Sequence, residues 1–246
     1  MKGWENQINL IHGDCLEEMR LIHDQSIDLV LTDMPYGMTF NRWDTVIDLD
    51  KMWVQVKRII KDRTAVCFFA KDPFGARLIM SNPKMFKYNW IWIKDSANGF
   101  LHAKRYPMGI HEKISVFCKK PHIYNPVMRE GKPYVRNTKG KVSKNYDLKR
   151  NPNYVTINKG ERYPLTMIKF KRDKNKLHPT QKPVALLEYL IKTYTNEGDT
   201  VLDFTMGSGS TGVAAKNLNR KFIGIEKDEK YFEVARERLS ESRTSI

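Results

Sequence analysis

The stretch TVLDFTMGSGSTG at residues 200–212 joins a short apolar run to a glycine-rich loop. Its first five residues predict a buried strand. Its glycines match the pattern G-x-G-x-x-G and stand at Gly207, Gly209 and Gly212. A small-residue helix follows, and the next predicted strand, 221–226, ends in Glu226. Strand, loop, helix and strand in this order are typical of a unit that binds an adenosine group, in which the carboxylate accepts hydrogen bonds from the ribose hydroxyls.

Two ligands fit such a unit, a nicotinamide dinucleotide and S-adenosylmethionine. A dinucleotide fingerprint normally opens a domain, whereas this loop comes late in the chain. Asp203 ends the strand and can bind an ammonium group, which S-adenosylmethionine has and NAD lacks. These observations favour S-adenosylmethionine, and a nicotinamide oxidoreductase stays as an alternative.

The rest of the chain alternates apolar runs with helical patterns, which predicts an open α/β sheet. The apolar runs that predict further strands lie at 27–32, 64–70, 89–93 and 113–118. Between about 119 and 176 the apolar periodicity is lost, and Gly, Pro, Asn and Lys become frequent. This segment is therefore predicted to be an insertion outside the central sheet.

The composition limits the class of protein. The chain has 246 residues, of which 41% are hydrophobic, enough for one large domain with an insertion. No apolar run approaches the length of a membrane span, and the N-terminus lacks the apolar stretch of a signal peptide. Three scattered cysteines are too few for a disulfide framework or a metal site. A cytoplasmic protein without a bound metal is expected.

The positive charge is concentrated in the predicted insertion. Residues 119–176 contain 17 Lys and Arg against 4 Asp and Glu, whereas the remaining residues contain 26 against 24. A localised basic segment is expected of a protein that binds a polyanion. A solvated basic loop is the alternative, which the aromatic residues within the segment disfavour. The tyrosines among them are Tyr124, Tyr134, Tyr146, Tyr154 and Tyr163.

The tetrapeptide DMPY at 33–36 follows the apolar run 27–32. Strand carboxyl ends face the ligand crevice of an open parallel sheet. An exocyclic amine on a base is a poor nucleophile because its lone pair is conjugated into the ring. Two acceptors on its hydrogens would free that lone pair, and Asp33 with a backbone carbonyl can serve. Pro35 fixes the turn, and Tyr36 can stack on a base. A plain β-turn is the alternative interpretation.

Together these residues resemble the amino-group DNA methyltransferases, which methylate adenine N6 or cytosine N4. The family tetrapeptide is (Asp/Asn/Ser)-Pro-Pro-(Tyr/Phe/Trp), and Met34 stands here in place of the first Pro. The resemblance implies that position 34 supplies its backbone carbonyl, so the acceptor survives while some pre-ordering of the loop is lost. It also implies S-adenosyl-L-methionine as cofactor and the seven-stranded, Rossmann-like α/β sheet of methyltransferases that use it, with an inserted target-recognition region.

Further stretches carry the same resemblance. Residues 203–209 resemble the family's cofactor motif, HPTQKP at 178–183 resembles the segment that closes over the methionine part of the cofactor, and 11–16 resembles the segment that places an acid near the adenine. The cofactor contacts that the resemblance implies are Asp14, His178, Lys182, Asp203, Phe204, Gly207, Gly209 and Glu226.

The order of the motifs implies a domain arrangement. The tetrapeptide precedes the cofactor loop, which is the permuted order of the family's beta group, and the target-recognition region lies between them. The catalytic domain is therefore expected at 1–118 and 177–246, with the basic insertion 119–176 as the DNA-recognition region. Phosphate contacts from such a segment would supply affinity, while a few side chains read bases.

The expected function is site-specific N6 methylation of an adenine flipped out of double-stranded DNA. Asp33 favours adenine because Ser is the commoner first residue in cytosine-N4 enzymes, and N4 methylation is the alternative. Cytosine-C5 methylation needs a cysteine nucleophile, usually after proline, and no Pro-Cys pair occurs. An inactive DNA-binding homologue is a further alternative that only Met34 supports. A homodimer and a cognate restriction endonuclease stay open as partners.

Overall fold

The computed structural model of the chain describes residues 7–37, 45–138, 154–174, 177 and 180–240. The strands are β1 (Ile8–His12), β2 (Ile27–Thr32), β3 (Ile60–Ala70), β4 (Phe86–Asn98), β5 (Gly109–Phe117), β6 (Arg129–Glu130), β7 (Tyr134–Thr138), β8 (Tyr154–Asn158), β9 (Glu161–Arg162), β10 (Met167–Lys169), β11 (Thr200–Asp203) and β12 (Lys221–Glu226). The helices are α1 (Cys15–Glu18), α2 (Leu49–Ile59), α3 (Phe74–Ser81), α4 (Val184–Tyr194), α5 (Ser210–Asn217) and α6 (Glu229–Ser240). Short 3-10 helices lie at Met19–Leu21 and Phe100–His102.

Eight strands form the main sheet within the part of the chain that the structure describes, in the order β1-β12-β11-β2-β3-β5-β4-β10. All neighbours are parallel except β5, which is antiparallel to both β3 and β4. The expected open α/β sheet is confirmed, with one strand more than the expected seven. The additional strand is β10, which lies inside the predicted insertion and pairs in parallel with β4.

The chain divides into two compact units, and the second, Pro126–Leu165, is shorter than the predicted insertion of 119–176. The flanks of the insertion belong to the first unit because they bond to it. The backbone N–H of Ile123 donates to the carbonyl of Arg63, and that of Asn125 to the carbonyl of Thr193 at 2.7 Å. The described part of the second unit holds two antiparallel strand pairs, β6 with β9 and β7 with β8.

Helices cover both faces of the main sheet, and the central strand β2 is buried on both sides as a result. All six of its residues are buried, as expected for a parallel strand with helices on both sides. Val30 packs into the apolar cluster that contains the buried residues of α2 and α3. Leu29 and Leu31 point the other way, into the cluster formed with α4, α5 and α6. No helix in the described ranges is long and apolar enough to cross a membrane.

Gly212, at the end of the glycine-rich loop motif, packs closely against β12 and α6, and this packing can be tested. A Cβ added at Gly212 would lie 2.7 Å from a ring carbon of Phe222 and 2.8 Å from a methyl carbon of Leu239. We therefore expect Gly212→Ala to lower the free energy of unfolding by about 1–3 kcal/mol, the usual cost of overpacking. Gly109→Ala is the matched control, because a Cβ there meets nothing within 4 Å. Urea denaturation of both variants measures the difference, and equal stabilities would contradict this packing.

Candidate active site

The two sequence motifs meet at the centre of the sheet, although about 170 residues separate them. Strands β2 and β11 are parallel neighbours, with Val201 opposite Leu29 and Leu202 opposite Val30. From this pair the chain continues to β3 on one side and to β12 on the other. Ligands of open α/β sheets bind at such a switch point, beyond the carboxyl ends of the strands. The tetrapeptide and the glycine loop therefore face one crevice.

A buried carboxylate joins the two motifs. One oxygen of Asp203 accepts a hydrogen bond from the Thr32 hydroxyl at 2.6 Å, and the other accepts from the Thr211 hydroxyl at 2.6 Å. The Thr205 hydroxyl donates to the backbone carbonyl of Asp33 at 3.1 Å and so connects the loop to the tetrapeptide. Burial raises the pKa of Asp203 to about 6, against the opposing effect of the hydroxyl hydrogen bonds.

A cavity of about 720 Å³ opens beyond these strand ends, and most of the predicted site residues line it. The predicted residues in its wall are Asp14, Asp33, Met34, Pro35, Tyr36, Lys182, Asp203, Phe204, Gly207 and Glu226. Gly209 is not part of the wall. It turns the backbone into α5 with φ at 77°, and a Cβ there would lie 3.0 Å from that of Ala235 in α6. His178 lies outside the described residues.

Glu226 is fixed at the end of β12 by two backbone groups. The N–H of Gly207 donates to one carboxylate oxygen at 2.8 Å, and the N–H of Asp228 donates to the other at 2.8 Å. Burial raises the pKa of Glu226, and these hydrogen bonds to its ionised form oppose the rise. Each oxygen of a carboxylate can accept more than one hydrogen bond. The fixed carboxylate in the cavity wall therefore fits the ribose diol of an adenosine cofactor.

Asp14 borders the same cavity from the start of α1. Its carboxylate caps the helix by accepting from the N–H of Leu16 at 3.0 Å, and it lies 3.1 Å from the Lys227 ammonium group. Burial alone would raise the pKa of Asp14, but the hydrogen bond and charge of Lys227 outweigh it and lower the pKa. Asp14 is therefore an ionised, pre-positioned acceptor in the part of the wall that also holds Glu226.

Two side chains hold the Asp33 carboxylate in place. The Tyr36 hydroxyl donates to one oxygen at 2.6 Å, and the Lys182 ammonium donates to the other. One face of the Tyr36 ring packs on Phe74, with ring centroids 5.1 Å apart. The Met34 side chain is 2% exposed and packs in the core, which explains how an apolar residue can stand where proline is usual. Proline and methionine supply the same backbone carbonyl.

A chain of ion pairs runs from Asp33 through Lys182 to Glu112 and Lys94, and the sequence patterns did not predict the last two. Besides pairing with Asp33, Lys182 lies 3.2 Å from one oxygen of Glu112, and Lys94 lies 2.7 Å from the other. Lys182, predicted to bind the cofactor, therefore contacts the tetrapeptide 33–36. We call Asp33, Lys94, Glu112 and Lys182 the four-charge cluster. Two carboxylates and two ammonium groups leave it without net charge when all four are ionised.

The electrostatics of the four-charge cluster follow from its burial. Burial raises the pKa of Asp33, and the positive charge of Lys182 limits the rise. Burial would also raise the pKa of Glu112, but Lys182 and Lys94 outweigh it and lower that pKa to about 2. For Lys182 burial opposes the charged form, yet Asp33 and Glu112 prevail and raise its pKa.

The sequence contained a signal for Lys94 and Glu112, the two charged residues that the motifs did not predict. Lys94 ends the apolar run NWIWIK, and Glu112 immediately precedes the run KISVF. The two strands are neighbours, with Trp92 opposite Glu112. Charged residues that interrupt two apolar strands are expected to pair when the strands are adjacent, because a single buried charge is costly. The strand pairing itself was not evident from the sequence.

Known proteins resemble this chain over most of its length. The family model of N6/N4 DNA methylases matches residues 27–237. DNA adenine methyltransferase YhdJ of Escherichia coli (strain K12) is 30% identical over 249 residues, which cover 94% of this chain and 82% of that protein. The crystal structure of the M1.HpyAVI–SAM complex is 27% identical with a TM-score of 0.64, and the match covers 94% of this chain and 100% of that one.

A further solved structure shows the breadth of this fold. The PvuII DNA methyltransferase, described as cytosine-N4-specific, has a TM-score of 0.69 at 16% identity, over 97% of this chain and 90% of that one. At this identity the likeness is one of fold alone. The family model, in contrast, spans both the tetrapeptide and the glycine loop. The chain therefore belongs to the N6/N4 family of DNA methylases and is a DNA methyltransferase that uses S-adenosyl-L-methionine.

Proposed function

We propose that this chain is a site-specific DNA adenine-N6 methyltransferase that acts on an adenine flipped out of double-stranded DNA. The observation that carries the proposal is the Asp33 carboxylate, fixed by Tyr36 and Lys182 in the same cavity wall as Glu226. A target amine at Asp33 would thus share one enclosed space with a cofactor at Glu226. The name of the relative from Escherichia coli, a DNA adenine methyltransferase, supports adenine as the target.

The proposed chemistry needs acceptors for the two hydrogens of the target amine. The Asp33 carboxylate accepts one and the Met34 carbonyl the other, which draws the nitrogen towards tetrahedral geometry and frees its lone pair. The charge of Lys182 favours the ionised form of Asp33, and Tyr36 presents a ring against which the flipped base stacks. S-adenosyl-L-methionine supplies an electrophilic methyl group on its sulfonium. Glu226 binds its ribose, Asp14 lies towards its adenine, and Asp203 and Phe204 complete its site in this proposal.

Cytosine-N4 methylation is the second candidate, because the same fold occurs in a protein described as cytosine-N4-specific. Methylation of mixed-sequence DNA, followed by nucleoside analysis and modification-sensitive sequencing, separates the candidates. We expect N6-methyladenine in a single sequence context. N4-methylcytosine as the product would replace the proposal by the second candidate. An absence of any methylated nucleoside, with cofactor binding intact, would indicate an inactive DNA-binding homologue.

DNA contact by the basic insertion 119–176 is part of the proposal, and its charge is the support. Arg129, Lys132 and Arg136 are exposed cations within its described part. The residues from Lys139 to Arg150, which carry a further cluster of cations, lie outside the described residues. A homodimer and a cognate restriction endonuclease remain predictions drawn from the family resemblance.

The proposed roles of Asp33 and Glu226 predict opposite defects for two matched variants. Asp33→Ala should abolish methyl transfer while cofactor affinity stays within a few fold, because Asp33 meets the target amine. Glu226→Ala should weaken S-adenosylmethionine binding by roughly 1.5–3 kcal/mol, the scale of hydrogen bonds to a charged group. Calorimetry gives the affinities, and transfer of labelled methyl to DNA gives the turnover. Turnover of Asp33→Ala within tenfold of that of the unsubstituted protein would contradict the role assigned to Asp33.

The ion pair between Lys182 and Asp33 predicts a shift in the pH profile. Lys182 opposes the burial that raises the pKa of Asp33, so Lys182→Met should let that pKa rise further. Ionised Asp33 is required as the acceptor, so activity falls as the pH drops through its pKa. The acid limb of the activity profile should therefore move to higher pH in Lys182→Met.

Lys227→Met is the matched control for this shift. Lys227 pairs with Asp14 rather than with Asp33, so the acid limb should keep its position. Rates of methyl transfer between about pH 5 and 9 measure both profiles. An unmoved acid limb in Lys182→Met would contradict the electrostatic role of Lys182.

A further inference from the structure

Strands β4 and β5 continue past the four-charge cluster and form a hairpin whose tip carries its own pattern of residues. Their last register pair is Asn98 with Gly109. Between these two residues lies the turn 99–108, which begins at Gly99 with φ at 95° and contains the 3-10 helix Phe100–His102. We call residues 99–110 the hairpin tip.

The hairpin tip exposes large apolar side chains to solvent. Leu101 is 92% exposed and Phe100 is 80% exposed, so neither contributes to the core. Tyr106, Met108 and Ile110 are also exposed. Single exposed apolar residues are ordinary, but several together on one projecting segment indicate a surface that binds something.

The charge of the hairpin tip identifies the kind of partner. Lys104 and Arg105 lie between the exposed apolar residues, and the stretch 99–110 contains no Asp or Glu. Cations interleaved with apolar wedge residues are characteristic of proteins that hold phosphates while they insert side chains between bases. This charge complementarity favours duplex DNA over a neutral or basic protein surface.

The position of the hairpin tip points to the same partner. Strand β4 is antiparallel to β5, which is antiparallel to β3, so β4 runs in the same direction as β3 and its parallel neighbour β2. The carboxyl end of β4 therefore lies at the edge of the sheet where the site opens. Asn98, immediately before the tip, lines the cavity that holds Asp33. Four further residues of β4 lie between Lys94 and the turn, so Asn98 is about 13 Å beyond Lys94 along the strand. The tip therefore projects from the mouth of the candidate active site.

We infer that the hairpin tip is a DNA-inserting wedge, in which Phe100 and Leu101 enter the base stack beside the target while Lys104 and Arg105 hold the flanking phosphates. This inference rests on the proposed function, because a wedge has a purpose only if a base leaves the duplex. Removing a base from the stack costs a few kcal/mol, and side chains that fill the gap recover part of that cost. The wedge thus lies on the catalytic unit itself, apart from the basic insertion.

The double variant Phe100→Ser/Leu101→Ser tests the wedge. Its substrates are a duplex that carries the methylated site found by sequencing and the same duplex with an abasic position opposite the target base. We expect methyl transfer to the fully paired duplex to fall about tenfold or more, because unstacking then lacks compensation. Transfer to the duplex with the abasic position should stay within about threefold, because a base without a partner leaves the stack easily.

A matched control is Val54→Ser/Met80→Ser, which changes two exposed apolar residues of α2 and α3 outside the cavity wall. It should match the unsubstituted protein on both duplexes. Thermal unfolding and S-adenosylmethionine affinity of both double variants verify the fold. Lys104→Gln/Arg105→Gln should weaken DNA binding and flatten its salt dependence by about one unit for each phosphate that the variant no longer binds.

The outcomes separate the wedge from the proposed function. If the unsubstituted protein methylates DNA and the double variant keeps its rate on the paired duplex, the wedge is wrong and the proposed function stands. An equal loss on both duplexes would also overturn the wedge, because the defect would then lie outside base flipping. Conversion of a dimer to a monomer by the substitutions would assign the tip to a second copy of the chain. If the unsubstituted protein methylates no DNA, the proposed function is wrong, and the wedge that rests on it is wrong as well.

Discussion

The hydrogen bonds that surround the buried Asp203 carboxylate are the constraint on which the site depends. They tie the end of β11 to Thr32 at the end of β2 and to Thr211 in α5. Parallel pairing alone sets the two strands side by side, but it does not fix how their loops depart. The Asp203 carboxylate fixes these loops because it accepts hydrogen bonds from the Thr32 and Thr211 hydroxyls. The Thr205 hydroxyl in turn donates to the backbone carbonyl of Asp33. The positions of Asp33 and the glycine loop relative to each other are thereby set by the sheet.

The four-charge cluster bears on a second physical problem, because burial of the Asp33 carboxylate raises its pKa and the charge of Lys182 opposes that rise. An isolated buried carboxylate would bind a proton, lose its charge and become a donor at one of its two oxygens. Lys182 forms an ion pair with Asp33, and Glu112 and Lys94 add a second ion pair to the same network. The desolvation penalty of buried ions is several kcal/mol each unless geometry and hydrogen bonds compensate it. Balanced charge within one network meets that condition.

The sequence predicted those parts of the molecule that local patterns encode. Strand β12 and its terminal Glu226 follow from an apolar run beside a glycine loop, and the structure has that strand at the predicted residues. Strand β10 has three residues, too few for a periodic pattern, and only its pairing with β4 makes it a strand. The contact between Lys182 and Asp33 spans about 150 residues, so it depends on tertiary register that no local pattern reports. The cofactor contact of Gly209 stays a prediction, because this residue lies in the turn that begins α5 and outside the cavity wall.

The separation of β2 from β11 along the chain has a consequence for synthesis on the ribosome. Strand β2 gains β3 as a neighbour soon after it is made, but its other edge has to wait for a strand about 170 residues later. At roughly 5–20 residues per second, that interval is on the order of 10–30 s. During this time a mostly apolar strand presents an unpaired edge, the feature that promotes aggregation of nascent chains. The nascent chain therefore has a window of exposure in which chaperone binding would be most useful, and it cannot methylate DNA before nearly all of it has been translated.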